Sequence, residues 1–298
     1  MATGHFRIGC AVWSYRGWHG SFYPPGTAGR DALACYGQRL TAVEGNTTFY
    51  AVPDRATVER WRDQVPPDFR FCLKLPQTIT HQGAIAPRLT DALAFYERVS
   101  VLGDRLGPMF AQLPPSYGPE AWEDLQDFLG QFRRATAAPL AVEFRHRHWF
   151  DPRGRDRLQD WLDGHNIGRA VLDTRPIYEN LDPGEDPQRH SQRRKPRVPV
   201  QGLSSAGYGF VRFISHPQGD RNDRWLDQWR DRVADWLRSG KDVYFFVHCP
   251  IEDHSPATAQ RFQRALEAIG APVPPLPWDA IAPPPPPPDQ LSLFSPGP

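Results

Sequence analysis

Eight short apolar runs, each closing on a charged or strongly polar residue, recur along this chain of 298 residues. They read RIGCAVW (Arg7–Trp13), AVEGNTT (Ala42–Thr48), RFCLKLP (Arg70–Pro76), PMFAQLP (Pro108–Pro114), PLAVEFR (Pro139–Arg145), GRAVLDT (Gly168–Thr174), YGFVRFI (Tyr208–Ile214) and DVYFFVHC (Asp242–Cys249). Polar stretches of helical length separate most of them, and strand alternating with helix implies an α/β fold with a parallel sheet. Eight such units predict a single (β/α)8 TIM-type barrel, in which the carboxyl ends of the strands form the active face. Glu44, Asn46, Lys74, Gln112, Glu143, Arg145, Asp173, Arg212 and His248 all fall at those ends. Apolar packing alone does not call for such a polar, doubly charged mouth.

Three stretches depart from the rhythm. An aromatic loop, WSYRGWHGSFYPPG, follows the first run. A long insertion after strand six, from Arg175 to Ala206, replaces a short loop and helix and carries the basic cluster QRHSQRRKPR (Gln188–Arg197). The barrel is expected over residues 1–272. A proline-rich, flexible or disordered C-terminal tail is expected over 273–298, with six consecutive prolines at Pro283–Pro288. Helices are expected over Asp31–Arg39, Asp54–Asp63, Pro87–Arg105, Pro119–Phe132, Arg155–Gly164, Arg221–Ser239 and Ser255–Ile269.

The formal charge of +1 excludes a polycationic protein, so affinity for nucleic acid would need a local patch. No run of 18 apolar residues predicts a membrane span, and the N-terminus lacks the apolar core of a signal peptide. Cys10, Cys35, Cys72 and Cys249 lack CxxC spacing, which reads as a reduced cytoplasmic protein, here expected to be monomeric.

Strand residues two apart share a face, so Glu44 pairs with Asn46, Glu143 with Arg145, Cys72 with Lys74 and Phe246 with His248. Interior layers of such barrels normally hold Val, Ile or Leu, so charges there belong to the top layer, paired and open to ligand. The competing reading is an interior ion-pair network of Glu143, Arg145, Lys74 and Glu44 that only holds the barrel closed.

The segments GCAVWSYRGWHGSFYP, VEGNTTFYAVP, RFCLKLPQTITH, QLPPSYGP, AVEFRHRHWF, LDTRP, QRRKPRVPV and FVHCPIEDHSPATAQRF, in this order from Gly9 to Ala271, resemble the YecE-like family. That resemblance implies a TIM barrel in a bacterial group without an established reaction. The family has been likened to the endonuclease IV type of barrel and suspected of binding DNA, an analogy of fold that does not give function.

Glu44, Glu143 and Asp173 are the candidate catalytic carboxylates, with burial raising one pKa and a cation lowering another, and His248 is the candidate proton carrier. Lys74, Arg145 and Arg212 are candidates to clamp a phosphate, with Asn46, Gln112, Trp13 and Tyr15 beside them. A divalent metal, unspecified in kind, would draw its ligands from Glu44, His81, Glu143, His146, Asp173 and His248, although the neighbouring cations would repel it. Trp13, Tyr15, Trp18, Phe22, Tyr23, Phe49, Tyr50, Trp149 and Phe150 are candidates to stack bases or sugars, or else to pack loops over the barrel.

In the tail, Gln290, Leu291, Ser292, Leu293 and Phe294 resemble the pentapeptide with which bacterial repair proteins dock on the DNA sliding clamp. Leu293 and Phe294 have nothing local to pack on, and Gln290 would hydrogen-bond at a pocket rim. Three functions follow. One is a DNA-repair-type protein that binds or processes nucleic acid, a phosphodiester hydrolase if it is an enzyme. The second is a hydrolase, lyase or isomerase of an anionic metabolite. The third is a non-catalytic adaptor.

Overall fold

The computed structural model describes residues 3–178, 191–192, 195–201 and 203–281. All eight expected strands form. They are β1 (Phe6–Cys10), β2 (Ala42–Gly45), β3 (Arg70–Leu73), β4 (Met109–Gln112), β5 (Leu140–Glu143), β6 (Gly168–Asp173), β7 (Tyr208–Ile214) and β8 (Asp242–His248). Most strands stop one to three residues before the end of the apolar run. The polar residues that close the runs therefore stand at or just past the last rung.

Every ladder is parallel. Six strands form one sheet in the order β1-β8-β7-β6-β5-β4, and β2 pairs with β3 in a second. Single bridges, Phe71 with Leu106 and Lys74 with Phe110, carry β3 toward β4. At the other junction one backbone bond, from the Thr41 amide to the Ile8 carbonyl (3.1 Å), is joined by side-chain links in place of a ladder. The Tyr36 hydroxyl accepts from the Cys10 amide (2.6 Å) and donates to the Ala42 carbonyl (3.0 Å). The Ile8 amide donates to Thr41 Oγ1 at 2.9 Å. Gly9 permits this approach, because a Cβ there would lie 1.9 Å from the Ala42 carbonyl oxygen.

The connecting helices are α1 (Ala32–Gly37), α2 (Arg55–Gln64), α3 (Leu89–Val99), α4 (Trp122–Ala135), α5 (Pro152–Gly164), α6 (Asp223–Arg238) and α7 (Ser255–Ala268). The Asp54 carboxylate caps α2 by accepting from the Thr57 amide at 2.7 Å. On α6, Trp225, Trp229, Val233 and Trp236 recur at helical spacing and are buried, so one stripe faces the sheet. The expected insertion begins with a short turn, Arg175–Tyr178, and half of its basic cluster lies outside the described residues. The packed body runs past Pro272, since Leu276 is buried and the Trp278 ring lies 4.9 Å from Phe22. Residues 282–298, including the Gln290–Phe294 motif, lie outside the described residues.

Alternation divides the core in two. One apolar layer joins strands to helices. The other contains Ala42, Cys72, Phe110, Ala141, Ala170, Phe210, Tyr244 and Phe246. The second departs from the expected Val/Ile/Leu layers. Large rings from β4, β7 and β8 fill it against small residues from β2, β3, β5 and β6, with Phe210 5.4 Å from Phe110 and 5.2 Å from Phe246. That aromatic layer is the floor beneath the charged groups.

Candidate functional site

Two residues beyond the floor on each strand, the same parity brings Glu44, Lys74, Gln112, Glu143, Arg212 and His248 to one level. Arg212 is the hub. Its Nε and Nη2 donate to Glu44 at 2.7 Å each, its Nη1 donates to Glu143, and its guanidinium stands 5.1 Å over the Phe110 ring. Glu44 also accepts from Asn46 Nδ2 (2.6 Å) and lies 3.0 Å from His248 Nε2. Glu143 accepts from Arg145 Nε at 2.5 Å. Side chains from β2, β5, β7 and β8 thus meet in one hydrogen-bonded cluster, although β2 belongs to the two-stranded sheet.

The cluster is largely buried, with Asn46 and Arg145 half-buried at its edge. Glu44 and Glu143 are 0 % exposed, Arg212 and His248 4 %, and Lys74 6 %. Burial alone would raise both carboxyl pKa values, but the guanidinium of Arg212, with His248 beside Glu44 and Arg145 beside Glu143, overrides it. Glu44 is held well below the usual carboxylate range and Glu143 is lowered to about 2. The expected division into one acid and one base is therefore corrected, since both are permanent anions at neutral pH. Burial lowers His248 to about 4 against the opposing pull of Glu44, so it is neutral near pH 7.

The cations differ. Lys74 Nζ lies 3.6 Å from the centre of the Phe49 ring and makes no hydrogen bond among the described residues. Burial, then Arg212, lowers it to about 7 against the pull of Glu143 and Glu44. His81 packs 5.0 Å from the far partner of that contact, Phe49. It too is lowered to about 4, by burial and then by Lys74. Arg145 spends only its Nε on Glu143, leaving Nη1 and Nη2 without a hydrogen bond among the described residues.

The sequence reading missed Lys195. It is the basic insertion's contribution, and its neighbours in the field are Glu252, Arg212, Glu44 and Arg145. Burial lowers it to about 8. It also missed Glu252, whose carboxyl burial raises and whose Oε2 accepts from Ser255 Oγ at 2.7 Å. The available signal was compositional. The chain has 32 arginines and three lysines, and two of the three reach this mouth.

Other expected residues are elsewhere. Asp173 turns away from the cluster, accepting from Arg175 Nε (2.9 Å) and Nη2 (2.7 Å) and from the Trp229 indole (2.8 Å) on α6. Strand parity explains it, because Ala170 and Leu172 take the inner face and leave Asp173 the outer one. His146 accepts from the His148 amide in the loop after β5. Among the described residues no three His, Cys, Asp or Glu side chains converge as metal ligands. A dication between Glu44 and Glu143 would compete with Arg212 for the same oxygens, so the expected ligand set does not fit a metal.

Gln112 is buried at the end of β4, and no hydrogen bond of its amide is seen among the described residues. Most of the aromatic platform is core. Trp13 packs edge-on to Trp61 (5.1 Å), and Trp18 and Trp149 are fully buried. Tyr15 donates to Asp253 at 3.0 Å. Tyr50 alone among the nine is largely exposed, at 75 %.

Two cavities open among the loops that follow the strand ends, and neither is lined by a residue of the cluster. One, of about 290 Å³, runs from His81 and Gly83 to Pro114, Ser116 and Tyr117, between the loops after β3 and β4. The other, of about 240 Å³, is lined by Arg147, Thr174, Arg175, Tyr178, Arg197 and Val198.

Comparison with known proteins agrees with the motif order. Residues 7–280 match the family described as "Protein of unknown function DUF72". The chain belongs to the DUF72 family. It is 33 % identical over 281 residues to the UPF0759 protein YecE of Escherichia coli K12, covering 91 % of this chain and 97 % of that one. It is 25 % identical over 254 residues to the UPF0759 protein YunF of Bacillus subtilis, covering 80 % and 86 %. Solved DUF72 structures share the fold. One from Enterococcus faecalis superposes with a TM-score of 0.66 at 19 % identity over 90 % of this chain and 99 % of its own. One from Thermotoga maritima gives 0.65 at 22 % identity over 88 % and 99 %. No helix among the described residues of this DUF72 chain is long and apolar enough to cross a membrane.

Proposed function

We propose that the two sheets close as one eight-stranded (β/α)8 barrel and that its mouth binds the oxyanion of a small phosphate- or carboxylate-bearing ligand. Closure is supported by the bridges between β3 and β4, the Tyr36 and Thr41 links between β1 and β2, and the meeting of Glu44 with Arg212. One observation carries the ligand reading. The Glu44 and Glu143 oxygens are occupied by Arg212 and one nitrogen of Arg145, so among the described residues Lys74 and Lys195 form no ion pair and the two terminal nitrogens of Arg145 none of their own. Cavities of about 290 and 240 Å³ among the loops on this face are of small-molecule size, and a planar guanidinium fork grips such an oxyanion. A monomer acting on a metabolite in the cytoplasm, as hydrolase, lyase or isomerase, is the form this reading takes.

The test is glycerol 3-phosphate against glycerol in a thermal-shift titration. The phosphate ester raises the melting temperature and glycerol does not. Arg145→Ala and Lys195→Ala each weaken the effect. An undiminished shift in both variants would sink the clamp.

A second reading, nucleic acid presented by the sliding clamp, is favoured by the Gln290–Phe294 peptide and by the arginine-lined cavity of Arg147 and Arg197. It predicts calorimetric binding to the clamp that Leu293→Ala/Phe294→Ala abolishes. It also predicts salt-sensitive binding of a 5′-phosphorylated oligonucleotide. The burial of Trp18 and Trp149, with Trp13 half-buried against Trp61, leaves it a poor stacking platform and places it second.

A further inference from the structure

We propose that Lys74 is an amine nucleophile that forms an imine with the carbonyl carbon of a small aldehyde or ketone, the ligand's oxyanion being held at the same mouth. This rests on the anion-binding reading above and adds a covalent step to it.

The residue type is the first argument. A chain that meets its need for positive charge with 32 arginines places one of only three lysines at the end of β3, on the inward parity. An arginine stays charged in proteins, whereas a lysine can shed its proton and expose a lone pair. The surroundings are the second. Lys74 Nζ rests on the Phe49 ring, and neither Glu44 nor Glu143 forms an ion pair with it. Arg212 and Arg145 have taken those carboxylate oxygens. The amine is thus desolvated without being locked into a salt bridge, the arrangement that activates a lysine toward carbonyls.

The charged groups around it come from every side: Arg212 from β7, Glu143 and Arg145 from β5, Glu44 from β2, and His81 from the loop after β3. Burial and the two arginines outweigh the carboxylates and bring the amine to about 7. His81, packed against the Phe49 ring on which Lys74 rests, also rims the 290 Å³ cavity, and Arg145 and Lys195, in the field of the same cluster, supply the charge that would hold a phosphate or carboxylate.

The step balances without a further reagent. The amine lone pair attacks the carbonyl carbon, a C–N bond forms, and the C–O π pair moves to oxygen, which takes up a proton. Loss of the nitrogen proton and departure of the hydroxyl as water leave the C=N bond. That imine withdraws electrons from the adjacent carbon, the chemistry of a lyase or isomerase acting next to a carbonyl.

The experiment uses the whole wild-type chain with glyceraldehyde 3-phosphate or glyceraldehyde as probe. Sodium borohydride then reduces any imine, and peptide mass spectrometry locates the label. Lys241, which precedes β8 at the opposite end of the strands, is the internal reference. At about pH 7.5 an ordinary lysine is roughly 0.1 % neutral. Labelling of Lys74 should exceed that of Lys241 by at least about tenfold and rise with pH around a midpoint near 7. Lys74→Arg, checked for an unchanged circular dichroism spectrum, should lose the label at position 74.

Label on Lys74 no greater than on Lys241, or label on Lys195 in its place, overturns the imine and leaves the anion pocket standing. Equal labelling of Lys74 by both probes overturns the anion pocket and leaves the imine standing.

Discussion

Replacing Arg212 by methionine tests the central cluster most directly. Methionine keeps the aliphatic reach over Phe110 and avoids a large cavity, so the loss is electrostatic. Three charged hydrogen bonds disappear, two from Glu44 and one from Glu143, and both acceptors are 0 % exposed. Glu44 keeps Asn46 and His248, and Glu143 keeps Arg145. Removing one partner of a buried ionic group costs about 3–5 kcal/mol, a large share of the roughly 5–15 kcal/mol that holds a domain together.

The pH dependence gives the sign. In the wild type the Glu143 pKa is depressed, so its stabilisation is present above the unfolded value of 4.5 and is lost as pH falls toward about 2. In Arg212→Met burial acts with less opposition, the carboxyl pKa values rise, and the folded variant takes up protons before the unfolded chain does. Its deficit should therefore narrow between pH 7 and pH 5. Urea unfolding at both pH values measures it. A variant within about 1 kcal/mol of wild type at pH 7, or a gap that widens on acidification, refutes the assignment of Arg212 as the group that keeps both carboxylates ionised.

Lys74→Met should stabilise the protein at pH 6 by no more than about 5 kcal/mol, the ceiling set by a pKa lowered from 10.5 to about 7. The unfolded chain binds the extra proton between those values, so wild-type stability rises with pH across that window and the advantage of the variant fades by pH 10, as urea titrations would show. Asp173→Asn should cost about 1–2 kcal/mol through its partly exposed partner Arg175 and leave glycerol 3-phosphate binding unchanged. Weakened binding would place Asp173 in the site after all. Gly9→Ala should destabilise by about 3 kcal/mol or more, since its Cβ meets the Ala42 carbonyl oxygen at 1.9 Å, and a thermal melt close to wild type would contradict that packing.

The strands and the polar level above them were legible because a period of two is written locally, two residues at a time. Asp173 was legible by the same rule, since Ala170 and Leu172 show which face of β6 is inner. The protonation states were not legible. Arg212 and Glu44 are 168 residues apart, and nothing near either one shows that a single guanidinium satisfies two carboxylates. The aromatic loop misled for a related reason. Trp13 and Trp18 have the composition of a stacking surface, and only the positions of Trp61 and Tyr36 show that they are filling space. Lys195 was masked by its basic neighbours in sequence, which read as a solvated run.

The phenol of Tyr36 stands in for a missing rung between β1 and β2, and this sets the order in which the molecule breathes. A ladder amide is released only when neighbouring rungs let go together, whereas the Cys10 amide is guarded by one hydroxyl on α1. In hydrogen exchange, Cys10 should trade its proton ahead of the ladder amides of β7 and β8, and Tyr36→Phe should speed that exchange selectively. Glu44 lies two residues past Ala42 on the same strand. Slack at this seam is therefore felt first by the carboxylate that anchors Arg212, and a ligand that tightens the mouth should slow exchange at a strand it never touches.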